Sequence, residues 1–312
     1  MKAIECTKYG SPEVLQLTEV EKPVPKNNEV LIKMHATAVT ASDCIVRGFK
    51  LNRWSPMGLM MGMALGFRKP RKSTLGMIVS GEVEETGLRV SRFRKGDRVY
   101  GWTLSGSIVF GAYAQFICLP EKAVICPIPS QMNYEEAAAV PYGGLIALHY
   151  LRKGKIESRE NVLIYGASGA IGTAAVQLVR YFGVKVTGVC STKNLDLVRS
   201  LGADHVVDYT QQKSSDLKQE YDLILDAVGT RKDSDFKRAC KDLLSTDGKY
   251  ISIDDGSPKA DLPDLEFLSE VAASGKFKPV IDSIRPLEEM VEAHRYVDKG
   301  HKKGNVIITI NS

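Results

Sequence analysis

Gly166-Ala-Ser-Gly-Ala-Ile-Gly172 places three glycines three residues apart. The motif follows the apolar run Val162–Tyr165 and precedes a helical pattern from Gly172 to Phe182. In that position each glycine has a task. Gly166 makes the turn out of a strand, Gly169 lets the backbone approach a pyrophosphate, and Gly172 lets the helix pack closely on the strand. The helix start then offers N–H groups and a positive dipole end to phosphate. Gly166, Ser168, Gly169, Ala170, Ile171 and Gly172 are therefore the expected phosphate-binding residues of a dinucleotide site. The alternative is an ordinary strand-to-helix turn.

About 20 residues further on, where an NAD site carries Asp or Glu for the ribose hydroxyls, the chain reads Cys190-Ser-Thr-Lys193. Ser191 and Lys193, a hydroxyl and a cation, suit a 2′-phosphate instead. NADPH is the expected cofactor, with a merely solvated Lys193 as the alternative. Tyr209, past a third strand, is expected to flank the same phosphate or the adenine edge, or else to pack. Val228 and Gly229 end a strand at the expected cofactor edge, where backbone is expected to meet the carboxamide. Lys303 and Asn305, before the last strand, are expected to reach nicotinamide or phosphates; a solvated loop is the other reading.

The elements that must position these residues fall into two kinds. Up to about residue 125 the chain reads as short strands and turns, at Val30–Ala36 (alternating, one face to water), Met77–Val83, Lys95–Gly101 and Gly111–Cys118, which suggests a barrel or sandwich. Asn133-Tyr-Glu-Glu136 has capping-box spacing. An Ala-rich helix follows and runs, after a break at Pro141–Gly144, to about Leu151. Strands then alternate with helices: 162–165, 185–190, 206–208, 223–228 and 250–253 as strands, 172–182 and 195–201 as helices. That alternation means βαβ units and a parallel sheet. A polar link at 254–260, a helix at 263–273, a strand at 277–281, a helix at 287–297 and a strand at 305–310 complete the chain.

Composition excludes several classes. The chain of 312 residues is 44% hydrophobic and 25% charged, with a formal net charge of +5 read as a mild excess spread along it. The run Arg68–Lys72 is short and reads as a solvated loop, so no nucleic-acid partner is expected. No stretch approaches the roughly 20 apolar residues of a membrane span; the longest apolar one, 54–67, holds Pro56 and three glycines. The N-terminus is too polar for a signal peptide. Six cysteines without a CxxC pair point to reduced thiols and a cytoplasmic setting.

These motifs resemble the medium-chain dehydrogenase/reductase superfamily, in its zinc-independent quinone oxidoreductase branch. The resemblance is carried by Lys95–Gly101, Glu135–Pro141, Val162–Gly172, Leu201–Asp204 with Val207–Tyr209, and Gly304–Ile308, and spans nearly the whole chain in family order. It implies a Rossmann-type doubly wound parallel sheet inserted in a GroES-like β-barrel catalytic domain. The expected boundaries are 1–125 and 278–312 for the catalytic domain and 126–277 for the NADP-binding domain. Zinc-dependent members carry Cys at the position of Thr40 and His-Glu at Met77-Ile78, and this chain lacks their four-cysteine lobe, so no metal is expected. Members usually also carry a longer segment, with part of the subunit interface, where this chain has the short link. A homodimer therefore stays open.

The resemblance places the segment of Thr40 and Asp43 toward the nicotinamide. Hydride transfer to a quinone or an α,β-unsaturated carbonyl needs closeness and a hydrogen-bond donor at the oxygen, not a strong Lewis acid. Thr40 is the expected donor and Tyr142 a second, while Asp43 reads as a catalytic residue or as a turn or cap. The Met-rich stretch Met57–Phe67 is expected to line an apolar entrance, or else to be buried. An enoyl-thioester reductase and a non-catalytic NADPH-binding protein are the remaining alternatives.

Overall fold

The computed structural model describes residues 1–49, 56–103 and 109–311. The chain divides into two compact units, 1–141 with 281–312, and 142–280.

The outer unit opens with strands β1 (Lys2–Cys6), β2 (Leu15–Glu19) and β3 (Glu29–Val39), then helices α1 (Ala41–Gly48) and α2 (Pro56–Leu65). Strands β4 (Ile78–Thr86), β5 (Arg98–Trp102), β6 (Phe116–Pro120) and β7 (Val124–Pro127) follow, then helix α3 (Tyr134–Ala139). Asn133 caps α3 in the box its spacing predicts: its side chain accepts from Glu136 N at 2.7 Å, and Glu136 accepts from Asn133 N at 3.1 Å. The next helix, α4 (Pro141–Lys153), begins at Pro141. The expected break thus falls before Pro141, with the two glycines inside the helix rather than between helices.

The inner unit is a βα alternation: β8 (Asn161–Tyr165), α5 (Ala170–Tyr181), β9 (Lys185–Cys190), α6 (Leu195–Ser200), β10 (His205–Asp208), β11 (Tyr221–Asp226), α7 (Asp235–Ala239), β12 (Leu244–Ser252) and α8 (Leu262–Ala273). The chain then completes the outer unit with β13 (Ile281–Pro286), α9 (Met290–Asp298) and β14 (Asn305–Thr309). The strand expected at 277–281 lies further on, because Pro279 has no N–H to give a ladder.

Strand β3 organises the outer sheet, whose order is β13-β14-β3-β4-β5-β7 with β6 also on β3. With β4, β6 and β14 paired to it, β3 is buried except at Glu29, Lys33 and His35, so the water-facing side expected from its alternation is reduced to these three part-exposed residues of one face. The strand expected at Gly111–Cys118 narrows to β6, since Gly111 turns with φ +137° and Tyr113 N donates to Leu75 O instead. Val39 pairs with Val306, and Ile78 with Trp102. This register brings Thr40, Met77 and Asn305 to one end of the sheet.

The inner sheet is parallel, ordered β10-β9-β8-β11-β12, which is 3-2-1-4-5 in order of appearance and matches the start of the Rossmann order. Tyr165 pairs with Val189 and with Asp226, so β8, β9 and β11 end level. Ligands of such sheets bind at the carboxyl ends of the strands. Beyond β12 the described residues form the polar link and then α8, capped by Asp261, so β12 is an edge strand carrying Asp247 and Lys249 against edge pairing. Among the described residues no helix is long and apolar enough to cross a membrane, and none of the six cysteines is in a disulfide.

Candidate active site

In the inner unit Gly166 turns with φ +81°, and a Cβ there would strike Val228. The amides of Gly166 and Ala167 both donate to Val189 O at 3.0 Å, fastening the turn to β9. Gly169 is the N-cap of α5 and supplies no side chain to the cap. The amides of Ala170, Ile171 and Gly172 lie in the first turn, where an α-helix offers no acceptor. A Cβ on Gly169 would meet only Gly166 O, at 3.7 Å, whereas one on Gly172 would lie inside contact distance of Gly166 O and Ala167 Cα. Gly169 thus fronts open space and Gly172 is a packing glycine.

Buried Asn194 joins this turn to the end of β9. Its Nδ2 donates to Ser168 Oγ at 3.0 Å and to Ser191 Oγ at 3.3 Å. Sequence reasoning missed it, since an Asn after a strand end carries no spacing signal. Lys193 is exposed beside Ser191. Lys232, also missed, is half-buried, and burial together with the nearby Lys193 charge pushes its ammonium below the usual lysine range.

An acid does stand near this corner, at Asp208. Its oxygens accept from Thr192 Oγ1 at 2.5 Å, Thr210 Oγ1 at 2.6 Å and Thr210 N at 2.9 Å. Burial opposes its charge, but these hydrogen bonds hold its carboxyl below the ordinary value. Tyr209 is half-buried, its ring centroid 5.9 Å from that of Tyr165.

Val228 and Gly229 are shaped by Asp226, another residue missed from sequence. Asp226 Oδ1 accepts both amides, at 3.0 and 3.1 Å. Its Oδ2 pairs with Lys237 Nζ at 2.7 Å and accepts from the Tyr250 hydroxyl at 3.1 Å. The two amides are committed to that carboxylate, so the turn contributes shape rather than N–H donors. Tyr142, 4% exposed, is the second residue of α4. Its neighbour Gly143 packs against Ala170 O so closely that a Cβ would not fit, which sets the start of α4 against the start of α5.

In the outer unit Thr40 caps α1 together with Asp43. Thr40 Oγ1 donates to Asp43 Oδ2 at 2.6 Å and accepts from Asp43 N at 3.1 Å, and Thr40 N donates to the same Oδ2 at 2.8 Å. The Thr40 proton is therefore held by Asp43, and Asp43 is a cap residue. Burial pushes the Asp43 carboxyl up to about 6 against the Thr40 hydrogen bonds. The buried Tyr113 hydroxyl lies beside the same carboxyl and favours its charged form. Further along α1, buried Arg47 pairs with Asp298 at 2.7 Å and approaches His294 Nδ1 at 3.4 Å, tying α1 to α9. Asn305 is buried at the start of β14, and Lys303 N donates to Asp282 Oδ2 at 3.1 Å.

Comparison with known proteins agrees with this architecture. Residues 26–130 match the profile described as "Alcohol dehydrogenase GroES-like domain", and residues 170–267 and 257–308 match profiles described as "Zinc-binding dehydrogenase". The donor set for zinc does not fit: Thr40, Met77 and Ile78 offer no ligand cluster, and among the described residues no three His, Cys, Asp or Glu side chains are grouped to hold a metal. A 2-methylene-furan-3-one reductase of Solanum lycopersicum is 32% identical over 99% of this chain and 79% of its own length. A chloroplast envelope quinone oxidoreductase homolog of Arabidopsis thaliana is 31% identical over 99% of this chain and 98% of its own. The solved quinone oxidoreductase from Coxiella burnetii superposes with a TM-score of 0.85 at 24% identity, covering 100% of this chain and 99% of that one. Sheet order, glycine turn and relatedness along almost the full length together establish that this chain belongs to the medium-chain dehydrogenase/reductase superfamily of oxidoreductases, in its quinone oxidoreductase-like branch.

Proposed function

We propose that the protein is an NADPH-dependent reductase of quinones or α,β-unsaturated carbonyls that works without zinc. The observation that carries the reading is the open cradle at Gly169, beside a β9 end that carries Ser191 and Lys193. The residues proposed to hold NADPH are the turn Gly166–Gly172 for the pyrophosphate, Ser191 and Lys193 for the 2′-phosphate with Tyr209 beside them, and Val228–Gly229 with Lys303 and Asn305 toward the nicotinamide. Bound NADPH supplies the hydride. Asp208 stays ionised, with its oxygens engaged by Thr192 and Thr210, so in this reading the cations of Lys193 and Lys232 must outweigh its charge at a 2′-phosphate.

The protein's part in such a reaction is to place the acceptor and to stabilise charge on its oxygen. Tyr142 is the proposed donor. Thr40 gives its proton to Asp43, so in this reading Thr40 fixes the start of α1 and turns to substrate only by releasing that bond. Residues 1–125 and 278–312 are proposed as the substrate-side domain and 126–277 as the cofactor domain, in a cytoplasmic protein. The names of the two plant relatives, a furanone reductase and a quinone oxidoreductase homolog, support the substrate class.

The test is loss of reduced-nicotinamide absorbance over a panel of quinones, enals and enones, with NADPH and with NADH, before and after chelation. Oxidation of NADPH unaffected by chelator is expected. Binding of NADPH without oxidation by any acceptor would favour a non-catalytic role, and loss of activity on chelation would contradict the zinc-free reading.

A further inference from the structure

The positive charge expected to be spread along the chain is concentrated. Between Asp43 and Glu82 there is no acidic residue but seven Lys and Arg, which leaves 35 Lys and Arg against 37 Asp and Glu elsewhere. Inside that stretch lies α2, Pro-Met-Gly-Leu-Met-Met-Gly-Met-Ala-Leu, without one polar side chain. A helix apolar all round ordinarily sits in a core.

This helix is covered on one side only. Gly58, Gly62 and Leu65, at helical spacing, are buried. The Tyr9 hydroxyl donates to the carbonyls of Leu65 and Gly66, at 3.1 and 2.8 Å, and pins the end of α2 to the outer unit. The other side is open: Leu59 is 41% exposed, Met60 53%, Met63 60%, and Phe67, just past the helix, 44%. Of the two readings of Met57–Phe67, a fully buried segment is ruled out by this exposure; Trp54 and Ser55 of the longer run lie outside the described residues. Directly after it come Arg68, Lys69, Arg71 and Lys72, all exposed, and none pairs with a carboxylate among the described residues.

We propose that α2 and the four basic residues after it form a peripheral docking surface for an anionic lipid bilayer. Leu59, Met60, Met63 and Phe67 enter the boundary between headgroups and acyl chains, and the four cations lie at the level of the lipid phosphates. Charge complementarity selects this occupant: an apolar face continuous with a cluster of cations, in a stretch free of acids, matches an anionic interface. The face itself has no polar side chain to fix the register of a protein partner, and methionines adapt to a fluid surface. At ten residues the helix is about 15 Å long, enough to lie in the interface and too short to span it. The inference goes beyond the reductase reading and takes nothing from it.

The test is co-sedimentation of the full chain with phosphatidylcholine vesicles, with and without phosphatidylserine. Binding to the serine-lipid vesicles at low salt is expected, falling severalfold without the anionic lipid or at about 0.5 M salt. Met60→Asp with Met63→Asp should bring binding to background, with Met60→Ser and Met63→Ser as the milder pair if the aspartates lower the thermal midpoint. Replacing Arg68, Lys69, Arg71 and Lys72 by Gln should weaken binding by roughly fivefold per charge, with NADPH binding and thermal midpoint unchanged. A wild type that stays in the supernatant with anionic vesicles at low salt, or methionine variants that bind as well as wild type, overturns the proposal. So does a dimer abolished by the same variants with no vesicle binding, which would assign the face to a second copy.

Discussion

At the residue scale, two glycines of one motif have opposite duties, and substitution separates them. Gly169 fronts open space, so Gly169→Val is expected to leave the thermal midpoint nearly unchanged and abolish NADPH binding, read by fluorescence titration. Gly172 is closed in by backbone, so Gly172→Ala is expected to destabilise the fold by about 1–3 kcal/mol, as overpacking does, in denaturant unfolding. Asp43 gives a pH signature. Burial holds its folded-state value near 6, above the ordinary 3.8, so the native chain binds this proton more tightly than the unfolded chain. Its contribution to stability is full below about pH 4 and is lost as pH rises through about 6. Asp43→Asn can still accept from Thr40 and has no proton to lose. The stability of this variant relative to wild type should therefore rise by up to about 3 kcal/mol between pH 4 and pH 7; a difference constant with pH would contradict the assignment. The glycine roles are legible in sequence because each follows from a strand–turn–helix context. The Asp43 role was readable only as an alternative, since burial and the Thr40 proton are tertiary facts.

At the scale of elements, the ends of β8, β9 and β11 meet because the parallel register is level, and local pairs then fix each end. The half-buried ammonium of Lys232 feels the charge of exposed Lys193, two residues past Ser191. Lys193→Ala and Lys232→Ala are each expected to raise the dissociation constant for NADPH roughly tenfold to a hundredfold, the value of one charge-assisted contact, and to leave that for NADH nearly unchanged. Equal losses for both nucleotides would show general damage instead. Lys237→Met removes the partner of buried Asp226 and should cost about 3–5 kcal/mol, with part restored by adding Asp226→Asn. Sequence reading found the strands here but missed Asn194, Asp226 and Lys232. Nothing in local spacing shows that an Asn side chain bridges two loops or that a strand-end Asp holds the next turn.

At the scale of the whole molecule, alternation of strands and helices from 162 to 253 made the parallel sheet readable, since hydrophobic period and turn glycines agree there. The outer unit was less legible. The pairing of the C-terminal part of β3 comes from β14, more than 260 residues away in sequence, and the end of α2 is held by Tyr9. The proposed reaction moves a hydride from NADPH to a conjugated carbonyl with no metal. The most direct measurement incubates chelator-treated protein with an enone and NADPH carrying deuterium at C4, then locates the label in the product by NMR. One deuterium is expected at the β-carbon, with a solvent proton at the α-carbon. Label at the carbonyl carbon, as in alcohol formation, or no oxidation of NADPH by any quinone, enal or enone, would contradict it.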